Sequence, residues 1–311
     1  AGPSQSVASV PPAEHSVSSV SVSSSSEGIG IGQRRGTQSP GSATRAARER
    51  GESGAADALA RAAPTMLYQG AANLAAFPFL DDTQASSAYV VHKASGRTDQ
   101  KVMVIGVGGG VDVLVALANG ADHVTAVELN TAMIDMVIEG YDEYLGGLFT
   151  TSDLAKRINL VNSEGRAWLR SHEDKYDVIQ MSGVDSYTAL SGGAYTLSES
   201  YLYTVEAVQD FYEHLKPDGI VCYSRFMQKA PMAARESLRL ANIACEGLRA
   251  AGVAEPQKHV CVLRGGMDWA STMIKQSPFT EKEIKALRAF AEREAFVGLV
   301  FDPLAPRDVA I

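Results

Sequence analysis

Gly106, Gly108 and Gly110 close one apolar run, 101–105, and Glu128 closes the next, 123–128. Glycine at such a turn lets the backbone bend sharply and lets a ligand approach closely. A helix starting near Val111 would then aim its free N–H groups at that ligand. Glu128 stands 18 positions past Gly110, at the tip of the second strand, where a carboxylate accepts hydrogen bonds from both hydroxyls of a ribose. Together these residues have the form of a βαβ unit that binds an adenosine-containing cofactor. The spacing is G-x-G-x-G, and Val111 occupies the position of the third glycine of the dinucleotide fingerprint. That favours S-adenosylmethionine (SAM) or a relative over a nicotinamide dinucleotide. The competing structural reading is a tight turn with no ligand.

Two further turns carry candidate chemistry. Asn162-Ser163-Glu164-Gly165 follows the third strand-like run, where a carboxylate can meet the adenine edge and Gly165 opens the next helix. Ser163 reads equally well as the cap of that helix. Ser182-Gly183-Val184-Asp185-Ser186-Tyr187 follows the fourth run, where the transferring group belongs. Asp185 is the only acid between Asp177 and Glu199, which suits a cationic or proton-donating substrate; an Asx-turn is the structural alternative. Residues 183–200 form a long polar loop with adjacent Gly192 and Gly193, the form of a hinged lid. Tyr187, Tyr195, Tyr201 and Tyr203 add flat amphipathic surface around it.

Positioning these groups requires alternating elements. Strand-like runs fall at 101–106, 123–128, 157–162, 176–182, 219–225, 259–264 and 269–275, and helix-like stretches at 111–119, 130–139, 165–172, 201–216 and 231–251. Alternation of this kind predicts an α/β fold, a doubly wound, mostly parallel Rossmann-like sheet with helices on both faces. About four residues separate the last two strands, too few for a parallel crossover, so they should pair as an antiparallel hairpin at the sheet edge. Seven strands ending in such a hairpin is the layout of SAM-dependent transferases. A last helix, 280–294, opens on a capping box, Thr280 with Glu283. Residues 64–98, with apolar segments at 66–79 and 88–92, are expected to form a small N-terminal cap, and 99–311 the catalytic domain.

Composition narrows the classes. The 311 residues are 45% hydrophobic with a net charge of −8, enough for a sizeable core. Residues 1–63 contain 14 Ser and no aromatic residue, which predicts a disordered tail. Its Arg34, Arg35, Arg45, Arg48 and Arg50 read as solvated linker charge, with an acidic partner as the alternative. The remainder carries 22 basic against 31 acidic residues, a poor match for nucleic-acid phosphates. Cys222, Cys245 and Cys261 lack metal-ligand or disulfide-framework spacing and fit a reducing compartment. No run of 18 apolar residues and no signal-peptide pattern is present, so a cytoplasmic protein is expected.

Val102–Glu128, the turn at 162–165, and Tyr176-Asp-Val-Ile-Gln-Met-Ser-Gly-Val-Asp185 with Ser198-Glu-Ser-Tyr-Leu-Tyr-Thr204 resemble the spermidine synthase (polyamine aminopropyltransferase) family, above all its large bacterial spermidine-synthase-like branch. The likeness covers about 99–290. It implies transfer of an aminopropyl group from decarboxylated SAM to a small-molecule amine. It also implies that Gly106, Gly108 and Gly110 line the cofactor, Glu128 holds the ribose and Glu164 the adenine. The family's active loop reads Asp-x-x-Asp; Asp185 matches the second acid, and Ser182 stands at the first. The family's glycine loop carries an Asp where Gly109 stands here. Both missing acids normally hold substrate amines, and the first is linked to deprotonating the nucleophile, an effect worth roughly 10²–10⁴ in rate. Asp112 and Glu199 are candidate substitutes. A methyltransferase and a non-catalytic SAM or nucleoside sensor are the rival functions, with Ser182 and Tyr187 beside Asp185 in the catalytic set. Association as a homodimer is left open.

Overall fold

The computed structural model of the chain describes residues 19–20, 65–98, 100–184, 201–227, 235–266 and 268–305. Eight strands form one sheet: β1 (Lys101–Ile105), β2 (His123–Glu128), β3 (Ile158–Asn162), β4 (Tyr176–Ser182), β5 (Leu215–Phe226), β6 (Val260–Arg264), β7 (Trp269–Lys275) and β8 (Gly298–Phe301). Their spatial order is β8-β6-β7-β5-β4-β1-β2-β3. The pairs β1–β2, β2–β3, β1–β4 and β4–β5 are parallel, and β5–β7, β6–β7 and β6–β8 are antiparallel. A separate two-residue antiparallel pairing joins Ser19–Val20 to Thr65–Met66.

Side chains alternate between two cores, as the two-residue period of a strand requires. Val102, Val104, Val178, Ile220 and Cys222 face one core, with α1 (Ser87–Ala94), α2 (Val111–Ala118) and α7 (Glu281–Arg293), while the short α3 (Thr131–Asp135) follows β2. Met103, Ile105, Ile179, Met181, Val221 and Tyr223 face the other, with α4 (Gly165–Arg170), α5 (Val205–Glu213) and α6 (Arg235–Ala250). The central strands are buried on both faces, which explains why 102–105 reads as a continuous apolar run and why 176–181 carries no regular polar alternation. Leu67, Phe77, Leu80 and Tyr89 belong to the first core, so residues 67–89 pack on the sheet itself.

Two departures from the sequence expectation have clear causes. The sheet has eight strands rather than seven, because β8 pairs antiparallel with β6 outside the hairpin. That strand is four half-buried residues long, too short and too irregular to show a period. The helix expected over 201–216 begins at Val205, because the Thr204 hydroxyl accepts a hydrogen bond from Ala207 N and caps it. The capping box at α7 is present: Thr280 Oγ1 accepts from Glu283 N at 3.3 Å, and Glu283 Oε2 accepts from Thr280 N at 2.7 Å. Glu283 also pairs at 3.1 Å with Lys275, both fully buried, and Lys275 is further held by Asp218 and Ser277.

The chain runs from β1 outward through β2 and β3, then returns to place β4 on the other side of β1. The order therefore reverses between β1 and β4. In open α/β sheets the crevice beyond the carboxyl ends of the strands at such a reversal is the ligand site.

Candidate active site

The glycine loop spans this crevice. Gly106 has φ +80°, and a Cβ there would lie 2.4 Å from Val184 Cγ1, so the chain leaving β4 enforces glycine at this position. Gly110 has φ +93° and abuts the Phe149 ring, where a Cβ would come to 3.0 Å. Gly109 is not among the positive-φ glycines, so no backbone conformation reserves that position for glycine. Gly108 N donates to Glu128 Oε2 at 3.1 Å, and Asn130 N donates to Oε1 at 2.9 Å. Glu128 is 9% exposed. Its carboxylate is thus locked to the loop, and each oxygen keeps a second lone pair for a ligand hydroxyl.

Neighbouring groups hold this arrangement. Asn162, at the end of β3, donates to Glu128 O at 2.9 Å and accepts from Thr131 Oγ1 at 2.9 Å. Ser163 N also donates to Glu128 O, at 3.1 Å. Leu129 is 69% exposed immediately beyond Glu128. An apolar side chain there suits the face of a purine, a role the sequence pattern did not single out.

Glu164, rather than Ser163, caps α4. Its carboxylate accepts from Arg166 N at 3.0 Å and from Ala167 N at 2.7 Å, while Ser163 Oγ turns to Glu164 O. Gly165 answers to packing, since a Cβ there would lie 2.6 Å from Ile105 Cγ2. Ser182 ends β4 against the Asp112 carboxyl, and Gly183 follows at φ +57° against the Trp269 ring. Gly106, Gly108, Gly110, Glu128 and Ser182 are thereby gathered at one end of the sheet, and Glu164 and Gly165 lie one strand further out. Asp185, Tyr187, Gly192, Gly193, Tyr195 and Glu199 lie outside the described residues.

A polar group not assembled by sequence reasoning lies on the α1–α2 face of the sheet. Tyr89 OH donates to Gln180 Oε1 at 2.6 Å, both residues fully buried. Asp112, in the first turn of α2, sits beside Gln180 and Ser182, and burial pushes its carboxyl up to about 6. Gln180 shares the strand face of Val178, an otherwise apolar row, and no local motif marks it.

The strand order, the terminal antiparallel hairpin and the glycine loop tied to an acid at the end of β2 define a Rossmann-like fold of the SAM-dependent methyltransferase type. The chain belongs to the spermine/spermidine synthase domain family, which it matches over residues 84–256, more than half its length. It is 30% identical over 125 residues to the polyamine aminopropyltransferase of Lachnospira eligens, covering 40% of this chain and 39% of that one. To the polyamine aminopropyltransferase of Streptococcus pneumoniae it is 29% identical over 147 residues, 46% of each chain. The matched part is thus less than half of either relative. A solved probable spermidine synthase from Corynebacterium glutamicum superposes with a TM-score of 0.50 at 15% identity, covering 76% of this chain and 79% of that one, a likeness of fold.

Proposed function

We propose that the protein transfers an alkyl group, of the aminopropyl type, from decarboxylated SAM to an amine. The observation that carries this reading is the buried Glu128 carboxylate fixed to the glycine loop at the sheet's reversal point, in a chain of the spermine/spermidine synthase domain family. When bound, the sulfonium supplies an electrophilic carbon and a neutral thioether leaving group.

The residues divide the remaining work. Gly106, Gly108 and Gly110 leave room for the cofactor against the backbone. Glu128 takes the ribose hydroxyls, Leu129 offers a face to the purine, and Glu164 with Gly165 borders the adenine. Asp185 is the group assigned to orient the acceptor amine or take its proton, with Ser182 and Tyr187 in the same catalytic set. A general base placed in this way contributes roughly 10²–10⁴ in rate. Among the described residues no helix is long and apolar enough to cross a membrane.

Methyl transfer is the second reading, favoured by Ser182 and Gly109 standing where aminopropyl transfer uses acids. The released nucleoside separates the two. Incubation with SAM, decarboxylated SAM and a panel of diamines should release methylthioadenosine from the decarboxylated cofactor. Release of S-adenosylhomocysteine from SAM would replace the proposal with methyl transfer. Binding without either product would leave a sensor.

A further inference from the structure

His92 lies in the last turn of α1, 1% exposed, and neither ring nitrogen has a hydrogen-bond partner among the described residues. A neutral imidazole carries one donor and one acceptor, so both go unpaired here. That costs free energy which an apolar side chain of similar size would not. The helix is fastened on both sides of this position. Tyr89, three residues earlier, donates to Gln180 Oε1 at 2.6 Å, and Ser95, the C-cap, bonds Glu283 Oε1 at 2.5 Å.

Charged groups face His92, and the acids among them are already engaged. They are Asp177 on β4, Lys216 and Asp218 on β5, and Arg97 just past the helix. Asp177 Oδ2 accepts from Lys101 N at 2.8 Å and from Lys216 Nζ at 2.6 Å, and its Oδ1 lies 3.5 Å from Arg97 Nη1. Asp218 Oδ1 accepts from Lys275 Nζ at 3.1 Å and from Ser277. Glu283, which α7 sets against α1, is paired with Lys275 at 3.1 Å. Two acids and two bases face the ring, and each acid holds a cation. A proton added to His92 would thus be a buried charge with no counter-ion of its own. Burial accordingly lowers the ring's pKa from the ordinary 6.5.

Water can take up an imidazolium here only if this part of α1 leaves the sheet. We propose that His92 makes α1 an acid-released latch: the helix seats with the ring neutral and lifts from the sheet when the ring takes a proton. The latch does not depend on what the chain transfers. Lifting α1 also withdraws Tyr89 from Gln180, which lies against Asp112 beside the glycine loop, so release at one edge of the sheet reaches the other. The sign follows from the neutral docked state. Docking is undiminished at pH 7.5 and is weakened progressively as pH falls below 6.5. Asp112 acts in the opposite sense between about 6 and 3.8, so the part played by His92 is read as a difference between chains that share Asp112.

The test is hydrogen exchange of the full chain at pH 7.5 and 5.5, read by mass spectrometry on the α1 amides and corrected for intrinsic rates. His92→Gln and His92→Phe remove the proton site. Relative to either variant, the wild type should lose up to about tenfold in α1 protection between the two pH values. Equal loss in all three chains overturns the latch. The wild type alone gives a second readout, the His92 ring signal in an NMR titration, which holds even where a variant fails to fold. In the docked protein the ring should still be neutral at pH 5.5. A ring that charges near 6.5 while α1 stays protected overturns the proposal.

Discussion

A carboxylate buried against a sheet should destabilise the folded protein, and Asp112→Asn measures by how much. Burial raises the Asp112 pKa from the ordinary 3.8 to about 6 in the folded chain. The native state therefore binds this proton more tightly than the unfolded state does. Between pH 3.8 and about 6 the unfolded chain releases it first, so stability falls as pH rises through that window. Above about 6 the full cost is present and constant. The separation of the two values corresponds to about 3 kcal/mol at 1.36 kcal/mol per pKa unit. Asparagine keeps the shape and removes the charge, so Asp112→Asn should stabilise the ligand-free protein at pH 7.5 by up to about 3 kcal/mol. With about 2–4 °C of Tm per kcal/mol for a domain of this size, that is a rise of up to roughly 10 °C. At pH 4 the difference should nearly vanish. Thermal unfolding followed by circular dichroism at the two pH values reads both. A variant less stable at pH 7.5, or a difference that does not change with pH, would refute the reasoning.

Glu128→Ala removes the acceptor of Gly108 N and Asn130 N and should abolish nucleoside binding in calorimetry while costing about 1–3 kcal/mol of stability from the orphaned donors. Glu164→Ala uncaps α4 and should cost about 1 kcal/mol in denaturant unfolding, and Glu164→Ser should recover most of it. If Glu164 also borders the adenine, Glu164→Ser will regain stability without regaining affinity. Gly165→Ala drives a methyl into Ile105 and should destabilise by about 1–3 kcal/mol. Burial pushes the Cys222 thiol up to about 12, so Ellman's reagent at pH 8 should modify it only as the chain unfolds.

The parts of this molecule that are local in the chain could be read from the chain. A continuous apolar run marked β1, because a strand buried on both faces needs no polar alternation, and β4 read as mostly apolar for the same reason. The four-residue gap before Trp269 forced an antiparallel turn. The capping box at Thr280 needed only two residues at the right spacing. Glycine types were legible, but their reasons were not. Gly106 answers to Val184 and Gly165 to Ile105, neighbours separated by long stretches of chain. β8 escaped because four half-buried residues carry no period, and its partner β6 lies more than 30 positions earlier. Ser163 was the cap read for α4, and only the backbone direction gives that place to Glu164.

The polar row on the α1–α2 face was out of reach for a deeper reason. Ser182, Ser224 and Ser271 come from three strands and become neighbours only through register. Asp112 follows a helix start, where an acid is ordinary and reads as favourable to the helix dipole. Its meaning changes when Gln180 and Tyr89 are seen beneath it, because a surface acid would face water and this one faces a sheet. Glu128 differs in kind, because two backbone donors fix it and each of its oxygens keeps a lone pair, so its part is read from its own contacts. Asp112 is read only from the strand beneath it, and the fall in stability as pH rises from 3.8 to about 6 is the measurement that shows it buried.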